Sequence, residues 1–205
     1  MSIKLAVLVS GRGSNLEAIL EAIDSGHLRA SVEIVISNKS GVGALAIAKR
    51  HGVRSSVIES APVKRVEHER LVVAELAKND IDYVVLAGYM RVLSPEFLSH
   101  FKDAAGFYKI INIHPSMLPA FPGKDAYGDA FAAGVSTSGI TVHLVDEHVD
   151  HGPILAQREF PRHPQDTLDT FKQRGLAVEH DLFPAVLEEI ATRSLASLVK
   201  EQVRK

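Results

Sequence analysis

The strongest constraint on this chain is a set of short, mainly apolar runs, Leu5–Val9, Val32–Ile36, Tyr83–Ala87 and Lys109–Ile113, each closed by Gly, Asn or Pro. A strand with one wet face alternates apolar and polar residues. A run without that alternation is covered on both faces, as in a parallel sheet. Between the runs, Asn15–Ile23 carries Leu16, Ile19, Leu20 and Ile23 at helical spacing, Gly43–Arg50 is Ala-rich, and Val63–Lys78 carries Val66, Leu71, Val73, Ala74 and Ala77. These read as helices, and Ser56–Ile58 as a short strand. The alternation predicts an α/β, Rossmann-like fold, a mostly parallel sheet with helices on both faces. In the C-terminal half, Ile140–Val145 and Ile154–Phe160 flank a polar loop with Gly152-Pro153 and predict an antiparallel extension of the sheet. Leu168–Ile190 reads as a long helix started by Asp166 or Thr167. Arg193–Lys205 is a mixed apolar and basic tail, expected to be a helical extension with a solvated face.

At about 150 residues per domain, 205 residues make one large domain, with no repeat or linker to divide it. With 23 Lys+Arg against 25 Asp+Glu, the chain offers no strong basic field to nucleic acid or to a membrane surface. The absence of cysteine excludes thiol catalysis, disulfides, Cys-ligated zinc and iron–sulfur clusters. Leu5–Val9 is too short for a signal segment, and no apolar stretch reaches the roughly 18 residues of a membrane span. A soluble, cytoplasmic protein is expected.

Ser10-Gly11-Arg12-Gly13-Ser14-Asn15-Leu16 lies at the carboxyl end of the first strand and opens a helix, where open α/β sheets bind ligands. Glycines let the backbone turn tightly, and the free amides of the helix N-terminus meet an anion, so a phosphate site is the natural inference. The turn is neither a dinucleotide fingerprint, because Leu16 replaces the third glycine, nor a P-loop, because no Gly-Lys-Ser/Thr follows. A plain glycine turn with Ser14 or Asn15 as N-cap is the other reading.

Asn112 and His114 are two apart in a strand and project from the same side. Pro115 holds His114 extended and ends the pairing. An amide and an imidazole at a strand's carboxyl end suit an acyl-transfer site, where both aim at one developing oxyanion. A capping Asn beside a structural His is the alternative. Further on, Thr141–Pro153 holds three His and three acids in thirteen residues. Three readings stand: a metal site from His143, His148, Asp150 and His151, weakened by the lack of a helical His-Glu-x-x-His; a polar surface loop; or one acid reaching His114, which would raise its pKa and fix its tautomer.

Taken together, Ser10-Gly11-x-Gly13-Ser14-Asn15-Leu16, Ala87-Gly88-Tyr89-Met90-Arg91-Val92-Leu93-Ser94-Pro95, Asn112-Ile113-His114-Pro115-Ser116 and Asp146–Pro153 resemble the phosphoribosylglycinamide formyltransferases, folate-dependent enzymes of purine synthesis. The likeness runs from Ile3 to about Pro184. It implies that Asn112, His114 and Asp150 form the catalytic set and that Gly13, Ser14 and Asn15 hold the ribonucleotide phosphate. Leu176, Ala177, Val178 and Glu179 would touch the ribonucleotide, with Glu179 on the ribose. Arg65, Met90, Arg91, Val92 and Leu93 would line the folate pocket with Asn112. His143 would form a pocket wall, and Asp146, Glu147, His148, Val149 and Asp150 the folate-binding loop. The chain departs from better-known members at Lys124-Asp125-Ala126-Tyr127, where they carry a histidine.

The resemblance further implies 10-formyltetrahydrofolate as cosubstrate, no metal, and phosphoribosylglycinamide as acceptor. It divides residues 1–205 into a ribonucleotide-binding half (about 1–100), a catalytic and folate-binding half (about 101–192) and a tail (193–205). The expected partners are these small molecules, without nucleic acid or membrane, in a monomer or homodimer. Another folate formyltransferase, a formyl-folate hydrolase, and a non-catalytic phosphoribosyl- or folate-binding module are the competing functions.

Overall fold

A computed structural model describes residues 2–203. Seven strands, β1 (Ile3–Val9), β2 (Ala30–Ser37), β3 (Ser55–Val57), β4 (Tyr83–Leu86), β5 (Ile110–His114), β6 (Thr137–Leu144) and β7 (Ile154–Pro161), form one sheet in the order β3-β2-β1-β4-β5-β6-β7. The first five are parallel, and β6 and β7 are antiparallel. The helices are α1 (Ser14–Asp24), α2 (Gly43–Arg50), α3 (Arg65–Leu76), α4 (Pro95–Ser99), α5 (Ala126–Ala132), α6 (Leu168–Thr192) and α7 (Leu195–Val203).

The unbroken apolar runs have the expected cause. In β1, Leu5, Val7 and Val9 face one core while Ala6 and Leu8 face the other. The larger core packs α1, α2, α5, α6 and α7 on one face of the sheet, and the smaller packs α3 and α4 on the opposite face. The tail docks rather than floats: Leu195 and Leu198 are buried in the larger core. Its last two residues, Arg204 and Lys205, lie outside the described residues.

Three local expectations need correction. The N-cap of α1 is Gly13, in the left-handed region at φ 88°, and no side chain caps the helix. Neither Ser14 nor Asn15 therefore occupies the first-turn amides as a cap would. The apolar spacing read in α3 is not its buried face: Val66 and Leu71 are exposed, while His68 and Glu69 are buried with Val72 and Leu76. Polar residues take the inner face there because they have partners, His68 with the Tyr89 hydroxyl and Glu69 with Ser94. Finally, α4 and α5 escaped the periodicity because each is too short to show one. Ser94 caps α4 ahead of Pro95, and Asp125 caps α5; Ser before Pro is itself a helix-start signal.

Candidate active site

The sheet reverses its build direction between β1 and β4, since β2 and β3 extend one way and β4 to β7 the other. Ligands of open α/β sheets bind outside the carboxyl ends at such a point. There a cavity of about 380 Å³ opens, floored by Asn112 and His114 of β5 and His143 of β6. In the antiparallel register Asn112 lies directly across from His143, and this pairing, invisible in either segment alone, sets the local chemistry.

His143 is buried, and burial pushes its pKa below the ordinary imidazole value against the opposing pull of the Leu144 carbonyl and Asp150. The ring is therefore neutral near pH 7. Its Nδ1 lies 2.9 Å from the Leu144 carbonyl, which only accepts, so Nδ1 carries the hydrogen and Nε2 the lone pair. Asn112 Nδ2, 3.1 Å away, must donate to that Nε2. The tautomer of His143 thus fixes which way the Asn112 amide faces, and the second Nδ2 hydrogen is left for the cavity.

His114 is also buried. Its Nε2 donates to the Phe121 carbonyl at 2.9 Å, and its Nδ1 faces Asp150 Oδ2 at 3.4 Å. Asp150 Oδ1 lies 3.8 Å from His143 Nε2, and Oδ2 accepts from the Gly123 amide at 2.8 Å. Phe121 and Asp150 are the non-glycine residues with positive φ among those described, at 53° and 55°. Such backbone costs about 1–3 kcal/mol and persists where surroundings impose it, often at functional sites. Both strained residues present an oxygen to the same imidazole. The acid that reaches His114 is the one the third sequence reading required. The four-residue metal reading does not hold, because both nitrogens of His143 are engaged.

The glycine turn forms a second locus. Gly13 admits no side chain, since a Cβ there would lie 2.6 Å from the Ala44 Cα. Asn15 Nδ2 donates at 2.5 Å to Oε2 of Glu179 on α6, and Tyr127 of α5 donates at 2.5 Å to Oε1. Glu179 is 5% exposed; burial raises its pKa, while the two donors pull it back down. Tyr127 fills the space left by Gly175, where any Cβ would overlap the phenol ring. Of the other residues expected beside Glu179, Val178 packs against the larger core, Leu176 is half-buried and Ala177 is exposed. The departure at Lys124–Tyr127 therefore has a structural content: a tyrosine holds the glutamate.

The cavity wall collects Arg65, Met90, Arg91, Val92 and Leu93 on one side and Asp146, Glu147, His148, Val149 and Asp150 on the other. Met90, Val92 and Val149 are more than half exposed. Apolar side chains held open to solvent around a cleft suit a flat, partly apolar ligand. Two bonds tie the wall down: Met90 N donates to Ser10 Oγ at 2.8 Å, and buried Glu69, which carried no sequence signal, accepts from Ser94 N at 3.0 Å and from Ser94 Oγ. Gly123 and Lys124 also line the cavity.

Known proteins resemble this chain over most of its length. The formyl transferase family model matches residues 3–187. The phosphoribosylglycinamide formyltransferase of Bacillus subtilis is 38% identical, covering 91% of this chain and 94% of that protein. The human trifunctional purine biosynthetic protein adenosine-3 is 40% identical over 92% of this chain, which spans only 18% of the human protein's length. The crystal structure of glycinamide ribonucleotide transformylase 1 from Symbiobacterium toebii superposes with a TM-score of 0.88 at 37% identity, covering 93% of this chain and 88% of that one. On this identity, coverage and shared fold, the chain belongs to the formyl transferase family, among the phosphoribosylglycinamide formyltransferases.

Proposed function

We propose that this enzyme moves the formyl group of 10-formyltetrahydrofolate to the primary amine of 5-phosphoribosylglycinamide, a step of purine biosynthesis. The observation that carries the reading is the convergence of Asn112, His114 and Asp150 on one cavity floor, beside a glycine turn whose Asn15 is bonded to Glu179. The neutral amine attacks the formyl carbon, and the carbonyl π pair moves onto oxygen. The free hydrogen of Asn112 Nδ2 and the Nδ1–H of the His114 imidazolium, whose Nε2–H is held by the Phe121 carbonyl, stabilise that oxyanion. One preorganised donor of this kind is worth about 3–4 kcal/mol. As the tetrahedral intermediate collapses, the carbon–N10 bond breaks and N10 takes the proton lost by the attacking nitrogen, relayed through water held by Asp150. Holding two substrates side by side supplies much of the remaining acceleration.

The roles follow from the two loci. Gly13, Ser14 and Asn15 receive the phosphate on uncapped helix amides, and Glu179 accepts from the ribose hydroxyls, with Leu176–Val178 alongside. The wall 90–93, Arg65 and the loop 146–150 enclose the folate. Each locus draws on both halves of the chain: the ribonucleotide site joins the glycine turn to Glu179, and the folate site joins Arg65 and residues 90–93 to the loop 146–150, with the tail as a brace. The enzyme works on these small molecules alone, in the cytoplasm, as a monomer or homodimer; among the described residues no helix is long and apolar enough to cross a membrane.

The test is direct. The protein is incubated with the glycinamide ribonucleotide and a 10-formyl folate, and loss of the formyl donor is followed by absorbance. Loss that depends on the ribonucleotide is expected. Donor loss without an acceptor would indicate a hydrolase, and binding of both ligands without turnover a non-catalytic module.

A further inference from the structure

The loop that carries Asp150 also brings together a set of groups the transfer reaction does not use as such. Asp146, His148 and His151 each offer one ligand atom, and these atoms lie within 4.8 Å of one another. His151 Nδ1 is 3.0 Å from Asp146 Oδ2, and the two imidazole rings stand 5.4 Å apart between centroids. Asp146 Oδ1 accepts from the His148 amide at 2.8 Å, which holds the carboxylate toward the rings. His148 and His151 are exposed, so a small ion reaches them from solvent.

We propose that Asp146, His148 and His151 form a binding site for a divalent transition cation of the zinc class. Tetrahedral ligands about 2.1 Å from an ion stand about 3.4 Å apart. The Asp146–His151 pair is hydrogen-bonded at 3.0 Å and needs to open by only about 0.4 Å to span an ion, and rotation of the exposed side chains brings in the rest. Two imidazoles and one carboxylate select zinc, cobalt, nickel or copper over magnesium or calcium, which want oxygen. The remaining coordination positions stay open to water. The ion would bridge residues 146 and 151, closing a ring of backbone around Asp150, whose strained φ of 55° depends on the shape of that turn. It would also withdraw Asp146 and His148 from the cavity wall they line. On the proposed folate role of that wall, a bound ion therefore weakens capture of the formyl donor.

The experiment uses the untagged full chain. Cobalt(II) uptake is read by its visible absorption without substrates, and zinc affinity by competition. His151→Ala is the main variant, since His151 lies outside the proposed catalytic and folate-binding groups; His148→Ala is the second, and His27→Ala, an exposed histidine far along the chain, is the control. One ion per chain is expected, with affinity lowered by roughly tenfold or more in both loop variants and unchanged in the control. In transfer assays, zinc should raise the KM for the formyl donor in the wild type and leave His151→Ala unaffected. No saturable uptake, equal affinity in His151→Ala, or an equal zinc response in that variant would overturn the proposal. Because uptake is measured without substrates, a failed formyl-transfer reading would leave the cobalt result standing.

Discussion

Replacing Tyr127 by Phe probes the buried carboxylate at the junction of α5, α6 and the glycine turn. The substitution removes one oxygen and nothing else, and the ring stays in the space above Gly175. What is lost is a 2.5 Å hydrogen bond to Oε1 of a glutamate that is 5% exposed. A hydrogen bond to a charged group is worth about 1.5–3 kcal/mol. At about 2–4 °C per kcal/mol for a chain of this size, the Tm should fall by roughly 3–12 °C. The loss has a pH signature. Burial already lifts the Glu179 pKa above its unfolded value, and Tyr127 is one of two donors that oppose the lift. An acid whose folded pKa is raised binds protons more readily when folded. Its contribution is complete below the unfolded pKa and is lost as pH rises through the folded one. Without the phenol the folded pKa rises further, so the gap between wild type and variant should be smallest near pH 5 and widest near pH 8. Melting followed by circular dichroism across that range measures it. Transfer kinetics should show a higher ribonucleotide KM with the donor KM little changed. A gap independent of pH, or none, would refute the claim that Tyr127 holds a charged Glu179.

Asp150→Asn should fold normally and lose roughly 10²-fold or more in turnover, read by steady-state assay beside a circular dichroism spectrum; an unaltered rate would remove Asp150 from the catalytic set. Gly13→Ala combines a φ of 88° with a Cβ 2.6 Å from Ala44, whereas Gly11→Ala meets nothing within 4 Å. The first should cost about 2 kcal/mol or more and raise the ribonucleotide KM, and the second should melt like wild type. His68 and His143 both have pKa values lowered chiefly by burial. For a base so shifted, stability is complete above the unfolded pKa near 6.5 and is lost as pH falls below it. Glu179 acts with the opposite sign over the same range, so the His68 contribution is read as a difference: denaturant titrations should show stability changing less favourably from pH 7 to pH 5 in the wild type than in His68→Gln.

The sequence by itself determined the sheet and most of its helices, because continuous apolar runs demand cover on both faces and the turn residues between them are local signals. It also marked Asn112 and His114 as neighbours, since strand geometry puts alternate residues on one side. Tertiary structure alone decided the rest. Whether Asp146, Glu147 or Asp150 meets His114 depends on how the loop returns from β6, and that Asn112 faces His143 depends on the β5–β6 register, set between strands joined only through α5. Glu179 is joined to Asn15 across 164 positions, and Tyr127 to Glu179 across 52. The inner face of α3 misled periodicity because a buried polar residue follows its partner rather than a hydrophobic pattern. Local physics writes elements into a chain, whereas the charge, tautomer and reach of a site are set by neighbours that only folding supplies.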